Sequence, residues 1–266
     1  MENTLPPAAS SPSAHGFQWA SRLRAAAIHL ALSALVAALA ALLVFGLWYP
    51  TPFREISGGR ELFFLVVAVD VVLGPLITFA VFDRRKPGRE LRRDLAIVVL
   101  LQLGALGYGL HTVFQARPVV VALEGDRLRV VTAVALQEAD LSKAPPEWQH
   151  LPWHGVHVLA TRRASGGEQL EAIDMALQGI DVGMRPEFWL PASSTAAEMR
   201  AGARPLAALA ARYPARAAEL QEYVAATGRS AEQLKYLPLL ARRTDWVALV
   251  DAQSGRIVGH APFDGF

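Results

Sequence analysis

Residues 62–82 read LFFLVVAVDVVLGPLITFAVF, an apolar stretch that carries a single charge, at Asp70. A helix rises about 1.5 Å per residue and the hydrocarbon core of a bilayer is about 30 Å thick, so this stretch is long enough for one crossing. Two similar runs flank it, at 25–47 and 95–114. Because backbone groups in lipid must hydrogen-bond within their own segment, all three runs are predicted to be transmembrane helices.

The first run, which only His29 and Ser33 interrupt, could instead be a cleaved signal peptide. Arg22 and Arg24 precede it, and it contains an Ala38-Leu39-Ala40 triplet. However, the run continues well past the triplet, whereas the apolar region of a signal peptide usually has only about 7–15 residues. We therefore predict an uncleaved anchor.

The loops between these runs differ in their basic residues. The N-terminal flank and the loop 83–94 together hold eight Arg and Lys residues, whereas the loop 49–61 holds only Arg54 and Arg60. Short loops rich in Arg and Lys stay in the cytoplasm. This asymmetry predicts a cytoplasmic N-terminus. Three crossings then place residues 117–266 outside, which is the periplasm in a Gram-negative bacterium.

The fold class predicted is therefore a membrane protein, with three N-terminal transmembrane helices followed by a periplasmic α+β domain. Residues 1–20 are predicted to form a disordered tail, 21–116 the transmembrane region and 117–266 the domain. Alternating and helical patterns predict its elements. The strands are Pro118–Glu124, Arg127–Ala133, His157–Thr161, Trp246–Val250 and Arg256–His260, and the helices are Glu168–Leu177, Thr195–Ala211 and Ala215–Ala226.

Charge and composition argue against several functions. The formal net charge is +2, and residues 117–266 hold sixteen basic against seventeen acidic side chains. No basic surface for nucleic acid is evident. The chain has no cysteine, which excludes disulfides, thiolate nucleophiles and Cys-based zinc sites.

Catalytic patterns are weak. His150, His154 and His157 have a spacing that could bind zinc or copper, but Pro152 and Gly155 interrupt the stretch, which favours solvated loop histidines. The sequence contains neither a phosphate-binding P-loop nor a dinucleotide-binding glycine motif. We predict no enzymatic activity, no cofactor and no metal.

Asp70 is the most informative residue of the membrane half, because a carboxylate near the centre of a membrane helix costs about 2.5–3.5 kcal/mol. Counting along the helices places Tyr108 at a similar depth, as its first candidate hydrogen-bond partner, with Gln102 one or two turns away. Three interpretations stay open: a structural hydrogen bond within the bundle, a docking point for another membrane helix, and a proton relay. Gly104, Gly107 and Gly109 predict a small face on the third helix for close packing.

Several motifs together resemble the type IV pilin accessory proteins of the TfpX/TfpZ family. The resemblance is dense over about 45–135 and looser through the tail, around Trp246 and Ser254-Gly255. The motifs are Leu47-Trp48-Tyr49-Pro50-x-Pro52-Phe53, Glu55-Ile56-Ser57-Gly58-Gly59-Arg60-Glu61-Leu62, Val69-Asp70-Val71-Val72-Leu73-Gly74-Pro75-Leu76, Glu90-Leu91-Arg92-Arg93-Asp94-Leu95, Gln102-x5-Tyr108-Gly109-Leu110 and Gln115-Ala116-Arg117-Pro118.

The resemblance implies a non-enzymatic protein of the bacterial inner membrane. Such a protein stabilises type IV pilin or helps it enter the pilus assembly machinery. A pilin awaiting assembly has one membrane helix and an external head, so a bundle with an external domain could contact both parts. The residues predicted to bind the partner are Asp70, Tyr108, Gln102, Arg60 and Glu61.

Two other functions remain as alternatives. A membrane-anchored periplasmic ligand sensor would fit the topology, but its weakness is that no cytoplasmic output domain is present. A membrane enzyme using Asp70 or the histidines lacks a second acid, a nucleophile or a convincing metal set at matching depth.

Overall fold

The computed structural model describes residues 19–242 and 245–266, so residues 1–18 of the predicted tail lie outside the described residues. Three helices in this part of the chain are long and apolar enough to cross a membrane: Trp19–Trp48, Gly59–Val81 and Gly88–Gln115. They confirm the three predicted membrane helices. Each is longer than its apolar run because the helix continues into the more polar flanking residues.

The second membrane helix lies between the other two. The first consists of α1 (Trp19–Leu43) and a π-helical turn (Val44–Trp48), the connection to the second contains α2 (Phe53–Ile56), and the third is α5 (Gly88–Gln115). The second consists of α3 (Gly59–Ala68), a π-helical turn (Val69–Leu73) and α4 (Gly74–Val81). α1 packs mainly against α4, whereas α5 packs against α3 and α4.

A mixed sheet forms the centre of the C-terminal domain. Its strands follow the order β3-β1-β2-β5-β6-β7, and a two-residue strand, β4, pairs with β5. β1–β2, β5–β6 and β6–β7 are antiparallel, whereas β3 is parallel to β1 and β5 is parallel to β2. The strands are β1 (Pro118–Glu124), β2 (Arg127–Thr132), β3 (His157–Ala160), β4 (Arg204–Pro205), β5 (Leu234–Leu240), β6 (Trp246–Asp251) and β7 (Ile257–Ala261).

The helices of this domain are α6 (Glu168–Leu177), α7 (Ala192–Gly202), α8 (Leu206–Arg212) and α9 (Ala217–Ala226). The prediction of one helix over Thr195–Ala211 was wrong, because the chain leaves the helix at Ala203 and pairs Arg204 and Pro205 with β5. Proline lacks an N–H and disfavours helical backbone in the residue before it. Pro205 therefore separates α7 from α8.

Strand β5 was not predicted, because Pro238 interrupts its sequence and proline is rare in central strands. The strand nevertheless pairs with β6 from Leu234 to Leu239. Its pairing with β2 is confined to Leu239 and Leu240, directly after the proline. The missing N–H of Pro238 thus falls where the ladder with β2 has not yet begun.

The sheet is buried on both faces, which explains why β1 is apolar almost throughout. Alternate residues of β1 enter different core clusters, with Val121 and Leu123 in one and Val120 and Ala122 in another. In β6 the same alternation separates Ala248 and Val250 from Val247 and Leu249. Residues 134–151 with Trp189, and helices α8 and α9, supply much of the second face's cover.

The connector, residues 49–58 between the first two membrane helices, enters the core of the C-terminal domain. Phe53 and Ile56 are buried in the same cluster as Leu123 and Leu237. Tyr49, also fully buried, donates a hydrogen bond from its hydroxyl to the Val113 carbonyl, 3.0 Å away. The connector therefore joins the membrane bundle to the domain by tertiary packing as well as by the chain itself.

Aromatic and backbone contacts add to this junction. The rings of Trp48, Phe114 and Trp153 lie 4.9–6.1 Å apart between centroids. Arg117 is 6% exposed and donates hydrogen bonds to the carbonyls of Phe114 and Pro152. The C-terminal ends of the first and third membrane helices are thus attached to the loop that precedes β3.

Helix α6 has its most apolar face directed outwards. The sequence predicted this helix, and the structure confirms it, with Leu170, Ile173 and Leu177 spaced to fall on one helical face. Those three side chains are 77%, 59% and 84% exposed, whereas Glu168, Ala172 and Met175 are the half-buried residues of the helix. The apolar stripe therefore adds nothing to the core of the described chain.

Candidate partner-binding site in the membrane helices

A groove of about 310 Å³ lies between the first and third membrane helices. The second helix forms its floor, since α1 and α5 each pack mainly against that helix. Leu32 and Val36 on one wall and Leu103 on the other are exposed. The groove is therefore open along the side that would face lipid or another membrane helix.

Polar groups lie along this groove. His29 on the first helix and Thr78 on the second are joined by a 2.5 Å contact between Nδ1 and Oγ1. Asp70 is 9% exposed and lines the groove, and Gln102 on the third helix donates a hydrogen bond to its backbone carbonyl over 3.0 Å. Polar side chains within a membrane helix usually face a bundle interior or mark a functional site.

The π-helical turn explains why the Asp70 carbonyl needs a side-chain partner. In such a turn the carbonyl of residue i accepts a hydrogen bond from residue i+5. For Asp70 that residue is Pro75, which has no N–H. Because lipid offers no replacement donor, the Gln102 amide supplies one across the helix interface.

Gly74 makes room for this contact. A Cβ atom at Gly74 would lie 2.0 Å from Nε2 and 2.6 Å from Cδ of Gln102. Gly74→Ala should therefore displace Gln102 and leave the Asp70 carbonyl unpaired, at a cost of about 1–3 kcal/mol. The measurement is thermal unfolding of the full-length protein in mild detergent. The matched control is Gly104→Ala, in which the added methyl group meets no neighbouring helix within 4 Å. Equal melting temperatures for the two variants would contradict the role of Gly74 in making room for Gln102.

The predicted hydrogen bond between Asp70 and Tyr108 was wrong. Tyr108 is 76% exposed on the third helix and does not line the groove, because the helical rotation between it and Gln102 turns its ring outwards. The predicted small face is also divided, since a Cβ atom at Gly109 would collide with Val66, whereas one at Gly104 or Gly107 would meet no neighbouring helix within 4 Å. Of the predicted membrane residues, the groove brings together Asp70 and Gln102.

Arg60 and Glu61 begin the second membrane helix, next to the connector. Arg60 is exposed and lies 3.3 Å from Glu55, and Glu61 forms an ion pair of 3.1 Å with Arg242 of the C-terminal domain. A Cβ atom at Gly58 would also meet the Arg242 side chain. Glu61 thus contributes to the junction with the domain, about 14 Å along the helix from Asp70 at 1.5 Å per residue.

Two fimbrial assembly proteins are similar to this chain over most of its length. The chain is 35% identical over 229 residues to the fimbrial assembly protein of serogroup I from Dichelobacter nodosus, across 84% of this chain and 88% of the relative. The serogroup E1 protein of the same organism is 34% identical over 227 residues, with the same coverage. This chain belongs to the fimbrial assembly protein family.

A family model described as fimbrial assembly protein FimB matches residues 17–58 of this chain. The matched segment comprises the first membrane helix, which forms one wall of the groove, and the connector with Phe53 and Ile56. No solved structure matches the chain.

The three histidines of the sequence motif do not form a metal centre in the fimbrial assembly protein as described. Nε2 of His157 lies 3.3 Å from the His150 carbonyl, and its ring lies 5.0 Å from that of Trp148. Within residues 19–242 and 245–266, no three His, Asp or Glu side chains are grouped to hold a metal ion. Burial lowers the pKa of His157 below its ordinary value.

Sequence reasoning missed Thr78 as a groove residue and treated His29 and Ser33 only as interruptions of the first run. The available signal was weak: all three are polar residues within apolar segments. Ser and Thr can satisfy their hydroxyls on their own helix, so their presence does not by itself indicate an interface. Only the packing of α1 on α4 places His29 beside Thr78.

Proposed function

We propose that this fimbrial assembly protein is an inner-membrane accessory protein for type IV pilin, of the TfpX/TfpZ kind. It stabilises the pilin subunit before assembly, or delivers it to the assembly machinery, without catalysing a reaction. The observation that carries this proposal is the open groove between the first and third membrane helices, with Asp70 and Gln102 inside it. A groove of this form suits the membrane helix of a partner.

The excess of basic residues before the first helix and in the loop 83–94 supports a cytoplasmic N-terminus. The C-terminal domain then lies in the periplasm, on the same side of the membrane as a pilin head. The connector attaches that domain to the bundle, so the groove and the domain are held in one arrangement. Two weak contacts made at once, one with each part of pilin, raise the apparent affinity.

In this proposal the five residues predicted to bind the partner contact it at three different locations. Asp70 and Gln102 face the pilin helix inside the groove. Exposed Tyr108 contributes a contact on the outer face of the third helix, and Arg60 and Glu61 contribute contacts near the outer surface of the membrane.

Deletion of the gene tests the proposal, with surface pili counted by electron microscopy and total pilin measured by immunoblot. We expect fewer pili. Depleted pilin would assign a stabilising role, whereas normal pilin would assign a role in assembly. Normal piliation together with normal pilin would contradict the proposal.

A further inference from the structure

Two hydrogen-bond acceptors in the groove have no partner among the residues that the structure describes. Among the described residues, the carboxylate of Asp70 forms no hydrogen bond or ion pair, although the residue is only 9% exposed. Oε1 of Gln102 is buried and also lacks a hydrogen bond, while Nε2 of the same amide is used on the Asp70 carbonyl. Both side chains line the groove.

We propose that the groove recognises a transmembrane helix through a hydrogen-bond donor on that helix, which pairs with Asp70 and Gln102. This inference rests on the proposed function, in which the helix is that of pilin. An acyl chain could fill the apolar part of the groove but has no donor to offer. A helix that places a hydroxyl or a protonated carboxyl at this depth can donate a hydrogen bond to one of these acceptors, and a primary amide has two N–H donors. An acyl chain can do neither.

The shape of the groove fits this occupant. Its volume of about 310 Å³ accommodates side chains rather than a whole helix, so the partner helix lies along the opening and inserts side chains into it. Exposed Leu32, Val36 and Leu103 form an apolar rim around the acceptors. The other polar pair of the groove, His29 and Thr78, is already hydrogen-bonded. A partner helix would therefore make its polar contact with the groove at the depth of Asp70.

Site-specific photocrosslinking in the native host tests this inference. The full-length protein carries a photoreactive phenylalanine analogue in place of Val36, at the rim of the groove, and adducts are detected with antibody against pilin. We expect an adduct with the pilin helix. Asp70→Leu should reduce its yield about tenfold, because one buried hydrogen bond to the acceptor is lost.

Two further variants separate recognition from folding. Asp70→Asn retains an acceptor oxygen of the same shape and should reduce the yield by less than about twofold, as should Leu100→Ala on the exposed surface of the third helix, outside the groove. All variants are compared at equal protein level. An undiminished adduct in Asp70→Leu would overturn the inference, and so would an Asp70→Asn loss as large as that of Asp70→Leu, which would indicate a charge pair instead.

The adduct also distinguishes the failure of this inference from the failure of the proposed function. A pilin adduct independent of Asp70 leaves the accessory role standing and overturns donor recognition. An adduct with the membrane helix of a different protein that is lost in Asp70→Leu supports donor recognition and overturns pilin as the partner. An adduct with lipid alone overturns donor recognition, and the deletion experiment then decides the proposed function.

Discussion

Phe53→Ala should lower the free energy of unfolding of the C-terminal domain by about 3–5 kcal/mol, although residue 53 lies between two membrane helices. The Phe53 ring is 6% exposed and belongs to a core cluster with Leu123 and Leu237 of the sheet. Removing it deletes a large buried side chain and leaves a cavity that the surrounding strands can fill only in part. Urea unfolding of the full-length protein in mild detergent, followed by tryptophan fluorescence, measures the change.

Ile173→Ala is the matched control for this substitution. Ile173 is a large apolar residue of the same domain, but it is 59% exposed on α6. Its removal should change the free energy of unfolding by no more than about 0.5 kcal/mol. If Phe53→Ala lowered the free energy of unfolding as little as Ile173→Ala, the connector would not be part of the domain core. A large difference would establish that the domain requires the connector for its stability.

The stability of the C-terminal domain should also fall as the pH is lowered through the titration range of His260. Burial lowers the pKa of His260 from 6.5 to about 4, next to the Phe53 ring at a centroid distance of 6.1 Å. Below pH 6.5 the unfolded chain binds a proton that the folded chain excludes, so protonation favours unfolding. The penalty should reach about 2 kcal/mol at pH 5 and about 3 kcal/mol at pH 4 relative to pH 7.

A comparison with His260→Gln isolates this contribution. The variant has no titrating group at this position, so its free energy of unfolding should depend less on pH between 7 and 5. A smaller slope should persist, because burial also lowers the pKa of His157 and gives a contribution of the same sign. Exposed carboxylates that accept hydrogen bonds, such as Glu168 with a pKa of about 2, lose their contribution only at lower pH. Identical slopes in the two proteins would contradict the assignment to His260.

Local sequence was sufficient for the membrane helices and for much of the C-terminal domain. The apolar runs, the β1–β2 hairpin and the strands β6 and β7 all have regular patterns whose physical cause is local. The secondary-structure prediction was wrong where a proline interrupts a helix, or where a strand forms by pairing with residues far away in the sequence. Pro205 divides a predicted helix in two, and Pro238 lies in a central strand that pairs with β6 along most of its length.

For the candidate site, the sequence predicted how deep each residue lies in the membrane. It did not predict towards which neighbouring helix each side chain points. A count at 1.5 Å per residue gave Asp70 and Tyr108 similar depths, yet Tyr108 is 76% exposed and only Gln102 reaches Asp70. Which face of a membrane helix meets its neighbour depends on packing, because lipid and protein interior are similarly apolar. The hydropathy of the third helix therefore contained little information about its rotation.

The sequence by itself determined three membrane crossings, a following α+β domain and an isolated carboxylate within the second helix, because length, hydropathy and alternation are properties of each segment alone. Tertiary structure decided the rest. It placed Phe53 and Ile56 in the core of the domain, opened a groove between the first and third helices, and left Asp70 and Gln102 there with unpaired acceptors. These features depend on contacts between residues far apart in the chain, and such contacts are set by how whole elements pack together.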